Sequence, residues 1–129
     1  DKPVVTVELA RAKKFFPRMD GKSVFKNASE KMPEAVRVAL QHNGFTVEDI
    51  TILIPHQAND RISQMVAHSL RLPLEKVMRN IDRYGNTTAA SIPIALDEAV
   101  QQGKIKRGDL VVLTAFGSGY TWASAAIRW

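Results

Sequence analysis

Two largely apolar runs of strand length, with little alternation, constrain this chain more than any other feature: Ile50-Thr51-Ile52-Leu53-Ile54 and Leu110-Val111-Val112-Leu113-Thr114-Ala115. A strand with one wet face alternates apolar and polar residues. One covered on both faces does not, and such burial is typical of parallel sheets flanked by helices. The intervening segments carry helical spacing. Met32, Ala35, Val36, Ala39 and Leu40 share one face up to His42-Asn43-Gly44, with Pro33 either starting that helix or kinking it. Ile62, Met65, Val66, Ser69 and Leu70 share another, stopped by Leu72-Pro73, and Pro73 can open a further short turn.

Residues 89–100 are the most telling. Ile92, Ala95, Leu96, Ala99 and Val100 form a helical face, while Ala89, Ala90, Pro93 and Ile94 leave the first turns apolar all round. A helix apolar on every side is normally sandwiched between layers. Gly103 ends it, and Arg107-Gly108-Asp109 is a turn. Shorter strands are expected at 4–7, 23–25, 77–81 and 121–127. The first leads into a basic arm ending at Phe15-Phe16-Pro17, and the last follows Gly117-Ser118-Gly119 closely enough to pair antiparallel. The resulting order, β-α-β-α-β-α-β-β, predicts an α/β fold with a mostly parallel sheet and a reversed final strand.

Composition narrows the function. No apolar run approaches the roughly 20 residues of a membrane span, so a soluble, cytoplasmic protein with no membrane partner is expected. With no cysteine, neither disulfides nor thiol catalysis can come from these 129 residues. His42 and His68 stand at no metal-ligand spacing, so no metal site is expected. The net charge is +5, and residues 1–31 hold eight basic side chains against four acidic ones. Such a patch suits nucleic acid, anionic lipid or an acidic protein, or is a solvated face. No nucleic-acid motif accompanies it.

In open parallel sheets ligands sit beyond the carboxyl ends of the strands. His56, Asn86 and the Gly117-Ser118-Gly119 turn each follow one of the expected strands, so the topology places all three on one rim. A neutral imidazole and a carboxamide can both donate to one oxygen and stabilise a developing oxyanion or enolate. His56 is expected at the start of a helix, where the dipole disfavours imidazolium. Glycines 117 and 119 let backbone approach a substrate. A Ser118-His56-Asp triad is the competing chemistry, but Gly117-Ser118-Gly119 lacks the G-x-S-x-G elbow.

Three segments carry a resemblance: Pro55-His56-Gln57-Ala58-Asn59 with Arg61-Ile62, then Tyr84-Gly85-Asn86-Thr87-Thr88-Ala89-Ala90-Ser91-Ile92-Pro93, then Phe116-Gly117-Ser118-Gly119-Tyr120-Thr121-Trp122. Together they resemble the carboxyl-terminal half of 3-oxoacyl-[acyl-carrier-protein] synthase III. The likeness runs from about Met19 to Trp129. Ser118 and Ala123 stand where glycine is common. The resemblance implies a thiolase-like half of a five-layer αβαβα protein, with the apolar helix in the shared middle layer. It divides the chain into a basic arm with a short strand (1–17) and the condensing-enzyme domain (18–129).

The resemblance also implies an activity. An acyl-CoA primer is joined to malonyl-carrier protein by decarboxylative Claisen condensation, starting type II fatty acid synthesis, with no tightly bound cofactor. His56 and Asn86 would be the donors to the malonyl thioester, and the nucleophilic cysteine would lie in an amino-terminal half. Asn59 and Ala58 would meet the pantetheine arm, with Gly21 and Phe25 near the tunnel mouth. Gly117, Ser118 and Gly119 would line the acyl-cysteine side. Arg61 and Lys26 would dock the acyl carrier protein, and the intact enzyme would be a homodimer. The His/Asn pair argues against the elongating synthases, which use two histidines. Two other readings stay open: a sibling enzyme making a polyketide, alkylquinolone or long-chain ketone, and a non-catalytic scaffold using the basic face.

Overall fold

The computed structural model describes residues 6–14 and 19–129. A short helix α1 (Val7–Arg11) comes first, capped by the Thr6 hydroxyl, which accepts from the Leu9 amide. The strand expected at 4–7 is therefore not formed where it can be seen: Thr6 and Val7 belong to a helix start, and Val4 and Val5 lie outside the described residues. Phe15, Phe16 and Pro17 lie outside them too.

Helix α2 (Gly21–His42) begins earlier than its apolar spacing suggests. Asp20 is extended, and its carboxylate accepts from the Lys22 and Ser23 amides at 3.1 and 3.2 Å, satisfying two donors that a helix start otherwise leaves unpaired. This cap turns Ser23, Val24 and Phe25 into helix rather than the end of a first strand. Pro33 is buried inside the helix and does not start it. Met32, Val36 and Leu40 form its buried stripe.

The sheet has three strands in the order β1-β2-β3. β1 (Ile52–Pro55) runs parallel to β2 (Leu110–Gly117), which pairs antiparallel with β3 (Thr121–Arg128). The reversed last strand is thus as expected. The strand expected at 77–81 shrinks to one parallel bridge, Leu53 to Val77, because the chain turns at once into the single-turn helix α4 (Ile81–Tyr84). A 3-10 turn, Leu74–Lys76, follows Pro73.

The largely apolar runs are explained by what covers them. On one face Leu53, Leu110, Val112 and Phe116 pack against α2 and α3 (Asp60–Leu70). On the other, Ile52, Ile54 and Val111 pack against Ala95 and Ala99 of α5 (Ser91–Gln101). Each fully buried aliphatic side chain contributes about 1.5–3 kcal/mol. Alternate residues thus face different helices, and both faces are buried along β1 and the first three residues of β2.

The buried face of α3 is Ile62, Ser63, Val66, Ala67 and Leu70. Met65 and Ser69, expected on it, are exposed. Ala67 packs in the same core cluster as Met32, Val36 and Leu40 of α2. Helix α5 follows a 3-10 turn, Thr88–Ala90, and buries Ser91, Ala95 and Ala99, while Ala89, Ala90 and Pro93 are exposed. Among the described residues α5 is covered on one side.

Candidate functional site

His56 follows β1 directly, and its backbone amide still donates to Thr114 at 2.8 Å, extending the parallel ladder by one residue. The side chain therefore emerges at the carboxyl edge of the sheet, in a half-buried position. Its Nδ1 lies 2.6 Å from the Ser91 hydroxyl, at the first residue of α5. Burial holds the imidazole pKa below its ordinary 6.5. The helix-dipole cause expected from the sequence is not what acts here: α3 starts only at Asp60, behind the cap Asn59.

Gln57 turns inward and is 1% exposed. Its amide donates to the Pro55 and Met78 carbonyls at 2.7 and 3.1 Å, and its oxygen accepts from the Asn80 amide at 3.0 Å. One side chain thereby ties the His56 turn to the segment that leads to Asn86. Asn80 donates onward to Glu98 at 2.9 Å, and Glu98 pairs with Arg83. The Asn80 amide, then Arg83, hold the Glu98 carboxyl below its ordinary 4.5.

Gly85 and Asn86 come next. Gly85 has φ 67° and ψ −162°, a region open essentially to glycine alone. Asn86 accepts the Thr88 amide on Oδ1 at 2.9 Å. A backbone amide can only donate, so the carboxamide orientation is fixed, and its NH2, without a partner among the described residues, can face the cleft. Thr88 itself is left-handed, at φ 53°.

These pieces meet in an open cleft of about 540 Å³ lined by His56, Asn86, Thr88, Ser91, Phe116, Gly117, Ser118 and Trp122, among others, with no charged side chain among the described residues lining it. The structure thus brings together His56, Asn86, Gly117 and Ser118. Gly119 sits one residue further along the hairpin at φ 79°, followed by Tyr120 at φ 54°. The Tyr120 ring stacks edge-on against Phe116 and its hydroxyl donates to Ser23 at 2.7 Å, which holds the strained turn against α2. Conformation demands glycine at 119. At 117 an added Cβ would meet only an ordinary contact, 3.7 Å from Thr121 Oγ1.

Other expected site residues lie elsewhere. Ala58 and Asn59 line a second cleft with Asp60, Arg79, Ile81 and Asp82, closed on one side by the Arg79–Asp60 pair. Asn59 caps α3 through its oxygen, which accepts from the Arg61 amide at 3.0 Å. Arg61 and Lys26 are exposed on α3 and α2. Gly21 opens α2, and Phe25 packs against the core between α2 and the sheet. Neither lines the His56 cleft. Among the described residues no cluster of side chains suits a metal, and no helix is long and apolar enough to cross a membrane.

Sequence reasoning missed Ser91 and Gln57 as individuals. Both lie inside quoted motifs, and a serine opening an otherwise apolar helix was the available signal. The arrangement offers two neutral donors beside an uncharged cleft.

Residues 40–129 match the family described as 3-oxoacyl-[acyl-carrier-protein (ACP)] synthase III C terminal. The β-ketoacyl-[acyl-carrier-protein] synthase III of Roseiflexus castenholzii is 49% identical over 124 residues, 96% of this chain and 38% of that protein. The crystal structure of 3-oxoacyl-[acyl-carrier-protein] synthase III from Aquifex aeolicus VF5 superposes with a TM-score of 0.85 at 50% identity, over 87% of this chain and 36% of that one. The enzyme of the same name from Pseudomonas aeruginosa PAO1 gives 0.88 at 45% identity, over 98% of this chain and 40% of that one. The chain spans well under half the length of these relatives. It belongs to the carboxyl-terminal family of the 3-oxoacyl-[acyl-carrier-protein] synthases III.

Proposed function

We propose that this chain is the enolate-stabilising half of a condensing enzyme that joins an acyl-CoA primer to malonyl-carrier protein and so starts fatty acid synthesis in the cytoplasm. The observation that carries this is the meeting of His56 and Asn86 in one uncharged cleft at the sheet's carboxyl edge. A malonyl thioester placed there directs its carbonyl oxygen at the imidazole and at the free Asn86 amide. As the bond to the carboxylate breaks, CO2 leaves and the electron pair moves onto the thioester. Two donors aimed at that oxygen stabilise the enolate, and in a site without opposing charge they act at high strength.

The enolate carbon then attacks an acyl group held as a thioester on a cysteine, expelling the thiolate. That nucleophile comes from a part of the intact enzyme outside these residues, so this chain alone does not condense. Asn59, whose amide nitrogen has no partner among the described residues, and Ala58 meet the pantetheine arm from their own cleft. Gly21 and Phe25 flank its approach, and the Gly117–Gly119 turn lies toward the acyl-cysteine. Arg61 and Lys26 present exposed positive charge to the acidic carrier protein, and the intact enzyme is a homodimer.

The test separates the half-reactions in the intact enzyme. Changing His56 or Asn86 to Ala is expected to lower malonyl-carrier-protein decarboxylation by about 10²-fold or more, the usual effect of losing an oxyanion donor, while acyl transfer from coenzyme A to the cysteine persists. Decarboxylation that survived both changes would remove the proposal and leave a scaffold role.

A further inference from the structure

We propose that Ser91 is a positioning residue that locks His56 in the tautomer protonated at Nε2, by donating its hydroxyl proton to Nδ1. The inference rests on the reading of His56 as a hydrogen-bond donor and says how the fold makes it one.

The argument is a donor count. A serine hydroxyl has one proton and two lone pairs. Ser91 is 2% exposed, so its hydroxyl relies on protein partners rather than bulk water to complete its set. One lone pair is taken by the Gln57 backbone amide, which donates at 3.2 Å. The remaining contact is His56 Nδ1 at 2.6 Å. If Nδ1 carried the proton, Ser91 would accept twice and its own buried proton would have no acceptor among the described residues. An unmade buried hydrogen bond is costlier than any gain from reversing the pair. The proton therefore runs from Ser91 to Nδ1, which leaves Nε2 protonated.

The fold builds this contact from two elements. Ser91 opens α5, and its buried neighbours Ala95 and Ala99 seat that helix on the sheet. Gln57 follows His56 and is fixed by three hydrogen bonds, so the amide that occupies the Ser91 lone pair cannot turn away. A histidine's free nitrogen is set by the bond its other nitrogen makes. Ser91 thus acts on the cleft through His56 and need not touch substrate.

The experiment is nitrogen-15 NMR of histidine-labelled protein at neutral pH, with His56 assigned by its loss in a His56→Asn variant. The wild type should show a bare Nδ1 and a protonated Nε2. Ser91→Ala should give a mixture of tautomers, and Ser91→Thr, which keeps the hydroxyl, should restore the single form. A wild-type Nδ1 carrying the proton overturns the proposal without any variant having to fold. So does an unchanged His56 signal in Ser91→Ala. In the intact enzyme Ser91→Ala should lower kcat for decarboxylation by about tenfold with KM nearly unchanged, in line with one weakened hydrogen bond. A His56→Ala enzyme that still decarboxylates would defeat the donor reading alone, since the tautomer is read independently of activity.

Discussion

At the scale of single residues, His56 carries a pH signature whose sign is fixed. Its folded-state pKa is depressed by burial. Between that value and the unfolded value of about 6.5, the unfolded chain binds more protons, so stability falls as pH falls through this window. Above it the group contributes no pH dependence. Replacing His56 with Gln removes the titration, so urea midpoints measured from about pH 8 to pH 5 should fall less steeply in the variant. Parallel profiles would show that the imidazole is not held neutral by the fold. The placement of His56 was legible because the apolar run of β1 stops at it. The role of Gln57 was not. A glutamine inside a polar motif reads as surface, and only tertiary structure shows its amide bonding both the neighbouring Pro55 carbonyl and the Met78 carbonyl, 21 residues further along the chain. Gly85 lies between: a glycine before an asparagine is consistent with a turn, but the demand for its particular φ and ψ appears only in three dimensions.

At the scale of elements, local propensity failed where a cap or a neighbour overruled it. Val24 and Phe25 favour strands in isolation, yet one aspartate before Gly21 recruits them into α2. Asp20→Ala should therefore destabilise the protein by about 1 kcal/mol, while Asp20→Asn, which keeps the accepting oxygen, should cost only a few tenths. Equal losses in urea denaturation would mean that the charge, not the cap, matters. The expected strand at 77–81 failed differently. Met78 donates to Leu53 at 2.8 Å, so pairing begins, but Asn80 is turned aside by its bonds to Gln57 and Glu98. Those bonds lead the chain into α4 and on to Gly85 and Asn86. The strand is given up where the candidate site is assembled, and no alternation pattern encodes that exchange.

At the scale of the whole molecule, the two sheet faces are unequally covered. The β2 and β3 residues opposite α2 are sealed by it, whereas α5 reaches only β1 and the near side of β2. Ala125 pairs with Leu113 in the antiparallel ladder, so both point to the α5 side. Ala125 is exposed there, as are Ala123 and, on α5 itself, Pro93 and Ala90. β3 is also an edge strand of eight residues with a single charged side chain, Arg128, and long edges of this kind pair with other chains. A helix apolar on every side led the sequence to expect a covering layer, and the small exposed residues of α5 fit one. Free in solution, the 129-residue chain should therefore self-associate, with weight-average mass rising with concentration in sedimentation equilibrium. Ala125→Glu places a charge in the middle of the bare face without touching the His56 cleft and should return the chain toward monomer. A wild-type chain that stays monomeric at high concentration would mean that this face does not drive association. A variant that associates as strongly as wild type would instead assign the contact to the open edge of β3, where backbone pairing tolerates a charge on one face.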